Sequence, residues 1–218
     1  MNFKYAIFDL DGTLLESMTV WRDCDIEEIQ VFLGKPLTKQ QISEYEVLPF
    51  IEMVKKAQAQ TGREFDVKGA VSRIYSRLKK YYCDGTITLK PYAKEYLEFL
   101  KLKGVKLAVA TATDKEICFP CLKRYGIFDY FDCLFTTSET KSKNHPDIFN
   151  ACIDKLGCTK AETMVFEDAL YSIKTLYDNG FRSTAVYDDR QRESDRVIIK
   201  QYAEKFVYSL DELMKDDK

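Results

Sequence analysis

Three short apolar segments stand out along the chain, and each is followed directly by polar or acidic residues. They are Tyr5 to Phe8, Leu107 to Ala110 and Met164 to Phe166. Short runs of aliphatic and aromatic residues are typical of strands that are buried in a parallel sheet. We therefore predict three buried strands, each of which ends beside polar side chains.

Further strands and helices alternate along the rest of the chain. The additional strands are predicted at Cys133 to Phe135, Ser183 to Val186 and Lys205 to Val207. Helical patterns cover Pro91 to Leu102, Lys115 to Tyr125, Pro146 to Leu156 and Ala169 to Asn179. This alternation predicts an α/β fold, a Rossmann-like doubly wound parallel sheet with helices on both faces.

The segment after the first strand interrupts the alternation. Residues 17–84 show only helical periodicity, for example at Ile26, Ile29 and Leu33. We predict two domains: an α/β core made of residues 1–16 and 85–218, and an inserted helical cap domain made of residues 17–84.

Composition and charge narrow the functional classes. Hydrophobic residues make up 45% of the chain and charged residues 31%, which is typical of globular proteins and disfavours disorder. The net charge of −2 provides no basic surface for nucleic acid or anionic lipid. No apolar run reaches the roughly 18 to 20 residues that span a bilayer. We expect a cytoplasmic protein with neither nucleic-acid nor membrane partners, whose seven scattered cysteines are reduced.

The clearest chemical signal is the acidic stretch Asp9-Leu10-Asp11-Gly12-Thr13-Leu14, which directly follows the first strand. Gly12 allows the chain to turn away and to leave both carboxylates in one small site. A carboxylate with the ordinary pKa near 3.9 is ionised at neutral pH, so Asp9 can attack phosphorus without a base. Asp11 can then protonate the leaving group and later accept a proton from water.

A second acidic pair, Glu167 and Asp168, follows the strand that ends at Phe166. A carboxylate and a phosphate repel each other as they meet, and a hard dication reduces that repulsion. Mg²⁺ prefers oxygen ligands, which carboxylates supply. The sequence therefore predicts Mg²⁺ as the cofactor, with Asp9, Asp11, Glu167 and Asp168 as candidate metal-binding residues.

These motifs, in this order, resemble those of the haloacid dehalogenase-like hydrolase superfamily. The subgroup in question contains phosphoglycolate phosphatases and β-phosphoglucomutases and has a helical cap after the first motif. The resemblance implies that Asp9 is the nucleophile and Asp11 the acid/base. It also implies that Thr111, with its neighbour Ala112, and Lys143 bind the phosphoryl group. Whether Glu167 contacts the metal directly is left open.

The resemblance implies a phosphatase that hydrolyses a small phosphate monoester through an aspartyl-phosphate. A β-phosphoglucomutase-like mutase is the main alternative, but Trp21 stands near the position of the histidine that such mutases carry in the cap. A haloacid dehalogenase needs neither an acid/base at Asp11 nor a metal site. A non-catalytic binding protein of the same fold is expected to have lost Asp9.

Several residues remain weaker candidates. Trp21 and Arg22 either close over a substrate or pack within the insert, and His145, the single histidine, is expected to begin a helix rather than to catalyse. Basic residues of the insert could meet a second anionic group, although solvated helix faces usually explain such charges: Lys55, Lys56 and Arg63. We expect a small phosphorylated metabolite as the substrate and a monomer or weak homodimer as the oligomeric state.

Overall fold

A computed structural model of the chain describes residues 2–215. The chain divides into two compact units, of which one comprises Met1–Ser17 and Ile87–Lys218 and the other Met18–Thr86. The predicted insert, residues 17–84, begins one residue before the start of the second unit and ends two residues before the end of that unit.

The larger unit is built on a parallel sheet. In chain order, the strands of the described residues are β1 (Tyr5–Phe8), β2 (Leu15–Glu16), β3 (Thr88–Leu89), β4 (Lys106–Thr111), β5 (Cys133–Thr136), β6 (Thr163–Glu167), β7 (Arg182–Val186) and β8 (Lys205–Val207). Six of them form one sheet in the order β5-β4-β1-β6-β7-β8, and all neighbouring pairs are parallel. The predicted α/β fold with a Rossmann-like parallel sheet is confirmed. The short strands β2 and β3 pair with each other antiparallel and were not predicted.

Helices fill the connections between the strands. Those of the smaller unit are α1 (Met18–Leu33), α2 (Lys39–Glu46), α3 (Phe50–Thr61) and α4 (Val67–Asp84). Those of the larger unit are α5 (Ala93–Leu102), α6 (Lys115–Arg124), α7 (Asp147–Leu156), α8 (Leu170–Asp178), α9 (Glu193–Tyr202) and α10 (Asp211–Lys215). None of the helices within residues 2–215 is long and apolar enough to cross a membrane.

Both faces of the sheet are buried, because successive side chains of a strand point to opposite sides. Ile7 and Val165 belong to a buried cluster that also contains side chains of α7, α8 and α9. Phe8 and Phe166 stack with ring centroids 4.4 Å apart and contact Tyr96 of α5 at 6.3 and 5.6 Å. The middles of the central strands are therefore apolar and buried, as expected of a doubly covered parallel sheet.

The start of α5 differs from the prediction. We expected a helix from Pro91, but α5 begins at Ala93, because Tyr92 adopts a left-handed backbone conformation with φ of 63°. A residue with this conformation cannot continue an α-helix. Tyr92 is thus the helix N-cap, and it carries a side chain where glycine is usually favoured.

The weaker candidates of the insert make contacts within the insert itself. Trp21 donates a hydrogen bond from Nε1 to the Tyr82 hydroxyl at 3.0 Å and packs edge-on against Tyr75. Arg22 forms an ion pair with Glu46 at 2.8 Å. The basic residues of α3 and the following loop are also engaged: Lys55 pairs with Glu52, Lys56 with Glu44, and Arg63 with the carbonyl of Phe32. Packing within the insert accounts for all of these residues.

Candidate active site

The chemical motifs lie at the carboxyl edge of three neighbouring strands. Asp9 follows β1, Thr111 is the last residue of β4, and Glu167 is the last residue of β6. The amide of Asp9 donates to the carbonyl of Phe166 at 2.9 Å and extends the pairing of β1 and β6 past the end of β1. Open parallel sheets bind their ligands beyond this edge.

The turn after β1 folds tightly around one carbonyl group. The oxygen of Leu10 accepts hydrogen bonds from the amides of residues 13, 14 and 15, at 3.2, 2.9 and 2.8 Å. Gly12 within this turn has φ of 86°, and a Cβ atom placed on it would lie 2.4 Å from Oδ2 of Asp168. Gly12 is therefore needed both for its backbone conformation and for the close approach of Asp168.

Lys143 joins two of the acidic motifs. Its side chain is 2% exposed, and Nζ donates to Oδ1 of Asp9 and, at 2.7 Å, to Oε1 of Glu167. The residue lies in the loop before α7, 134 positions from Asp9 in the sequence. The structure thus brings the predicted lysine directly to the predicted nucleophile.

Three buried carboxylates gather around this lysine. Asp9, Glu167 and Asp168 each offer one carboxylate oxygen, and these oxygens lie within 4.8 Å of one another. One ammonium group cannot balance the charge of three carboxylates when they ionise, and oxygen donors of this kind suit a hard dication. The residues therefore fit Mg²⁺.

Glu167 has donors on both carboxylate oxygens. Oε1 accepts from Lys143, while Oε2 accepts from the amides of Asp168 and Ala169 at 2.9 and 3.0 Å. Such a carboxylate fixes the loop that follows β6 and supplies charge to the site. The Asp168 carboxylate is held less firmly than that of Glu167, since it accepts a long hydrogen bond of 3.5 Å from the Thr13 hydroxyl.

The electrostatics of the cluster reflect its burial. Burial raises the pKa of Asp9, the Lys143 ammonium lowers it, and Glu167 and Asp11 raise it further, to about 8. Burial, together with Glu167 and Asp9, also raises the pKa of Asp168 well above its ordinary value. For Lys143, burial lowers the pKa, but Asp9 and Glu167 raise it more, so the lysine stays charged at neutral pH. These raised pKa values favour protonated carboxylates, so the expectation that Asp9 has an ordinary pKa is wrong for the metal-free site. A bound cation would lower the pKa of Asp9 and favour the ionised form that the nucleophile needs.

Asp11 has a different set of partners from Asp9. Its Oδ1 accepts from the Ser17 hydroxyl and its Oδ2 from the Thr113 hydroxyl, each at 2.6 Å. Its carboxylate does not belong to the cluster of Asp9, Glu167 and Asp168 that the described residues form. We expected Asp9 and Asp11 to share one small site, and the charge of Asp11 is close enough to raise the pKa of Asp9. A metal-ligand role for Asp11 stays a prediction.

The predicted phosphoryl-binding residues of β4 lie at the same edge. Thr111 is fully buried, and its Oγ1 accepts a hydrogen bond from the amide of Thr113 at 3.1 Å. Ala112 is exposed, and its carbonyl accepts from the Thr137 hydroxyl at 3.4 Å. Their binding of a phosphoryl group stays a prediction.

Sequence reasoning missed several residues that support this site. The hydroxyls of Ser17 and Thr113 hold Asp11, and Gln191 donates to the carbonyl of Asp168 at 2.6 Å. Thr113 lies two residues after Thr111 at the end of a strand, and this spacing was a usable signal. Gln191 lies 23 residues from Asp168 in a polar loop, and the sequence of that loop gives no signal of a role at the site.

Comparison with known proteins decides the family. The family model described as haloacid dehalogenase-like hydrolase matches residues 6–186. The chain belongs to this family. The resemblance drawn from the sequence motifs is thereby confirmed.

Two relatives and a solved structure are similar over 80% or more of the chain. The Phosphorylated carbohydrates phosphatase of Thermotoga maritima is 26% identical over 183 residues, covering 80% of this chain and 81% of its own. Hexitol phosphatase B of Escherichia coli (strain K12) is 23% identical, with 97% and 95% covered. A crystal structure described as a predicted phosphoglycolate phosphatase from Haemophilus somnus 129pt has a TM-score of 0.80 at 20% identity, with 100% and 99% covered.

Proposed function

We propose that this haloacid dehalogenase-like protein is a Mg²⁺-dependent phosphatase that hydrolyses a small phosphate monoester through an aspartyl-phosphate at Asp9. The observation that carries the proposal is the buried carboxylate of Asp9, bound by the Lys143 ammonium and flanked by Glu167 and Asp168. The phosphatases among its relatives support the reaction class.

The first step forms one bond and breaks another. A carboxylate oxygen of Asp9 attacks phosphorus, and the bond between phosphorus and the ester oxygen breaks as Asp11 gives its proton to the leaving alkoxide. In the second step, water gives a proton to Asp11 and attacks phosphorus, which releases inorganic phosphate and restores the Asp9 carboxylate. Bound Mg²⁺ would supply positive charge against the carboxylate and phosphate oxygens.

The hydrogen bonds of Asp11 suit both of its tasks. A hydroxyl group can donate to an ionised carboxylate and can rotate to accept from a protonated one. Ser17 and Thr113 therefore keep the Asp11 side chain in one place, at 2.6 Å from each oxygen, while its protonation state changes.

Lys143 serves the charge that develops on the transferring group. Its ammonium already touches Asp9, so it lies where the negative charge of the incoming phosphoryl group arrives. The ion pair between Glu167 and the Lys143 ammonium, at 2.7 Å, holds the lysine in that position.

Hydrolysis is favoured over transfer to a sugar. Trp21, near the position where mutases carry a histidine, is fixed by Tyr82 and Tyr75 within the insert. We propose a small phosphorylated metabolite as the substrate and a monomer or weak homodimer as the active form. That the insert serves as a cap also stays a prediction.

Release of inorganic phosphate from p-nitrophenyl phosphate, with Mg²⁺ and with EDTA, tests the proposal. Asp9→Asn should lower kcat by at least about 10³-fold, because the neutral amide is no nucleophile. Asp178→Asn is the matched control, since this exposed aspartate lies at the end of α8. Activity that survives in Asp9→Asn or in EDTA would overturn the mechanism, and sugar-phosphate isomerisation without phosphate release would favour the mutase.

A further inference from the structure

Gln191 connects the ends of two neighbouring strands of the sheet. Its Nε2 donates to the carbonyl of Asp168 at 2.6 Å and to the carbonyl of Val186 at 2.9 Å. Asp168 follows β6, and Val186 is the last residue of β7, which pairs with β6. A primary amide has two N–H donors, so one side chain satisfies both carbonyls where the ladder ends.

The loop after β7 holds Gln191 in this position. The amide of Gln191 donates to the carbonyl of Asp188 at 3.0 Å, which closes a turn. The buried carboxylate of Asp188 accepts from the amide of Arg190 at 2.8 Å and from Nζ of Lys90 at 2.9 Å. The turn is thus held by its own backbone and by an ion pair, so Gln191 has little freedom to move.

The amide of Gln191 has one allowed orientation. Turning it over would place Oε1 against two carbonyl oxygens, where no donor is available. In the observed orientation, Oε1 is buried and has no hydrogen-bond partner among the described residues. The side chain is therefore held through its two N–H groups alone, and it is these donors that the site uses.

Asp168 is fixed mainly through its main chain. Its amide donates to Oε2 of Glu167 and its carbonyl accepts from Gln191. Within residues 2–215, the one hydrogen bond to its carboxylate is the 3.5 Å contact from the Thr13 hydroxyl. Gly12 leaves room for the carboxylate, because it has no Cβ atom. The direction of this carboxylate thus depends on the backbone of residue 168.

We propose that Gln191 is a positioning residue, which fixes the Asp168 main chain and thereby aims the Asp168 carboxylate at the cation site that it forms with Asp9 and Glu167. The inference rests on the proposed function, because it assumes that this acidic cluster binds a dication. Loss of the Gln191 amide leaves all three carboxylates in the chain, but the Asp168 carboxylate can then turn away from the cation site.

Gln191→Leu tests the proposal, since leucine keeps much of the volume and removes both donors. Mn²⁺ binding to the free protein, followed by electron paramagnetic resonance, should weaken roughly tenfold, as is usual when a group that orients a metal ligand is lost. The Mg²⁺ concentration that gives half-maximal phosphatase activity should rise by a similar factor. The loss of phosphatase activity should be largest at low Mg²⁺ and should shrink as Mg²⁺ approaches saturation, while the KM for p-nitrophenyl phosphate stays within about twofold of wild type.

Two controls separate positioning from general stability. Gln201→Leu makes the same change at an exposed position of α9 and should leave Mn²⁺ binding unchanged. Gln191→Met provides a second variant with an unbranched side chain and should weaken Mn²⁺ binding like Gln191→Leu. Unchanged Mn²⁺ affinity in either Gln191 variant, whatever the change in melting temperature, would overturn the inference.

A third comparison separates the inference from the proposed function. Asp168→Asn should weaken Mn²⁺ binding far more than Gln191→Leu, because it removes a charged ligand. If wild-type protein binds no Mn²⁺, or if Asp168→Asn binds it as well as wild type, the cation site itself is wrong, and the positioning role falls with it. If Asp168→Asn loses binding and the Gln191 variants do not, only the positioning role is wrong.

Discussion

Replacing Gly12 by alanine should disturb the acidic cluster without removing any of its groups. The added Cβ would lie 2.4 Å from Oδ2 of Asp168, whereas real Cβ atoms essentially never approach closer than 3.0 Å. The carboxylate must therefore retreat by at least the difference, about 0.6 Å. The backbone at φ of 86° adds strain of about 1–2 kcal/mol for a residue with a side chain.

Two measurements follow the two effects. The free energy of unfolding, from urea titration, should fall by about 1–3 kcal/mol. The kcat/KM for p-nitrophenyl phosphate should fall by about 10²-fold, because displacements near 1 Å are costly at a reacting centre.

Gly104→Ala is the matched control for Gly12→Ala. Gly104 has φ of 75°, and nothing lies within 4 Å of the Cβ that alanine would add. It should lose a similar free energy of unfolding to backbone strain and keep wild-type kcat/KM. Normal activity in Gly12→Ala, or an equal loss of activity in both variants, would show that the close approach of Gly12 and Asp168 does not matter for catalysis.

Three further predictions concern the helix N-cap Tyr92, the contact between Thr113 and Asp11, and the buried acidic cluster around Asp9. Tyr92→Gly should raise the free energy of unfolding by about 0.5–1 kcal/mol, because relief of the left-handed conformation exceeds the added freedom of the unfolded chain, whereas Tyr92→Ala, which keeps the strain, should not; a less stable Tyr92→Gly protein would contradict this. Thr113→Val should lower kcat about tenfold, because it removes one of the hydrogen bonds that orient Asp11, and Thr113→Ser should restore it. Equal activity of the valine and serine variants would count against this contact. In EDTA, the free energy of unfolding should decline as pH rises from about 4 towards 8, because the pKa of Asp9 is about 8 in the folded state and 3.8 as its ordinary value, so the folded state binds the extra proton. Melting curves at about pH 5 and about pH 8 should show this loss of stability, and Mg²⁺ should reduce it. A gain in stability over this range would argue against the buried cluster.

The parallel core was predictable because its strands carry a simple signal. Apolar runs such as Tyr5 to Phe8 are buried on both faces of the sheet, so every residue is apolar and the polar residue that follows marks the edge. The two-residue strands β2 and β3 carry no such signal, and they exist because the chain leaves and rejoins the core at the same place. The left-handed Tyr92 was also unpredictable, since propensity disfavours it.

The candidate site was predictable where chemistry demands a particular residue type. Asp9 and Lys143 stand in recognisable motifs, and the structure joins them. The partners of Asp11 depend on the path of the turn after β1, which the residue types alone do not determine. The role of Gln191 was not predictable from the sequence for a related reason. Its side-chain amide contributes to the site only because the fold brings the distant carbonyl of Asp168 within hydrogen-bond distance.

The proposed reaction requires that Asp9 becomes phosphorylated during turnover. Wild-type protein can be mixed with Mg²⁺ and a phosphorylated substrate, quenched in acid within the first turnover, digested and analysed by peptide mass spectrometry. We expect a phosphoryl group on the peptide that contains Asp9, which disappears as phosphate is released and is absent from Asp9→Asn. Release of phosphate in the first turnover with no phosphorylated Asp9 peptide at any time would contradict it.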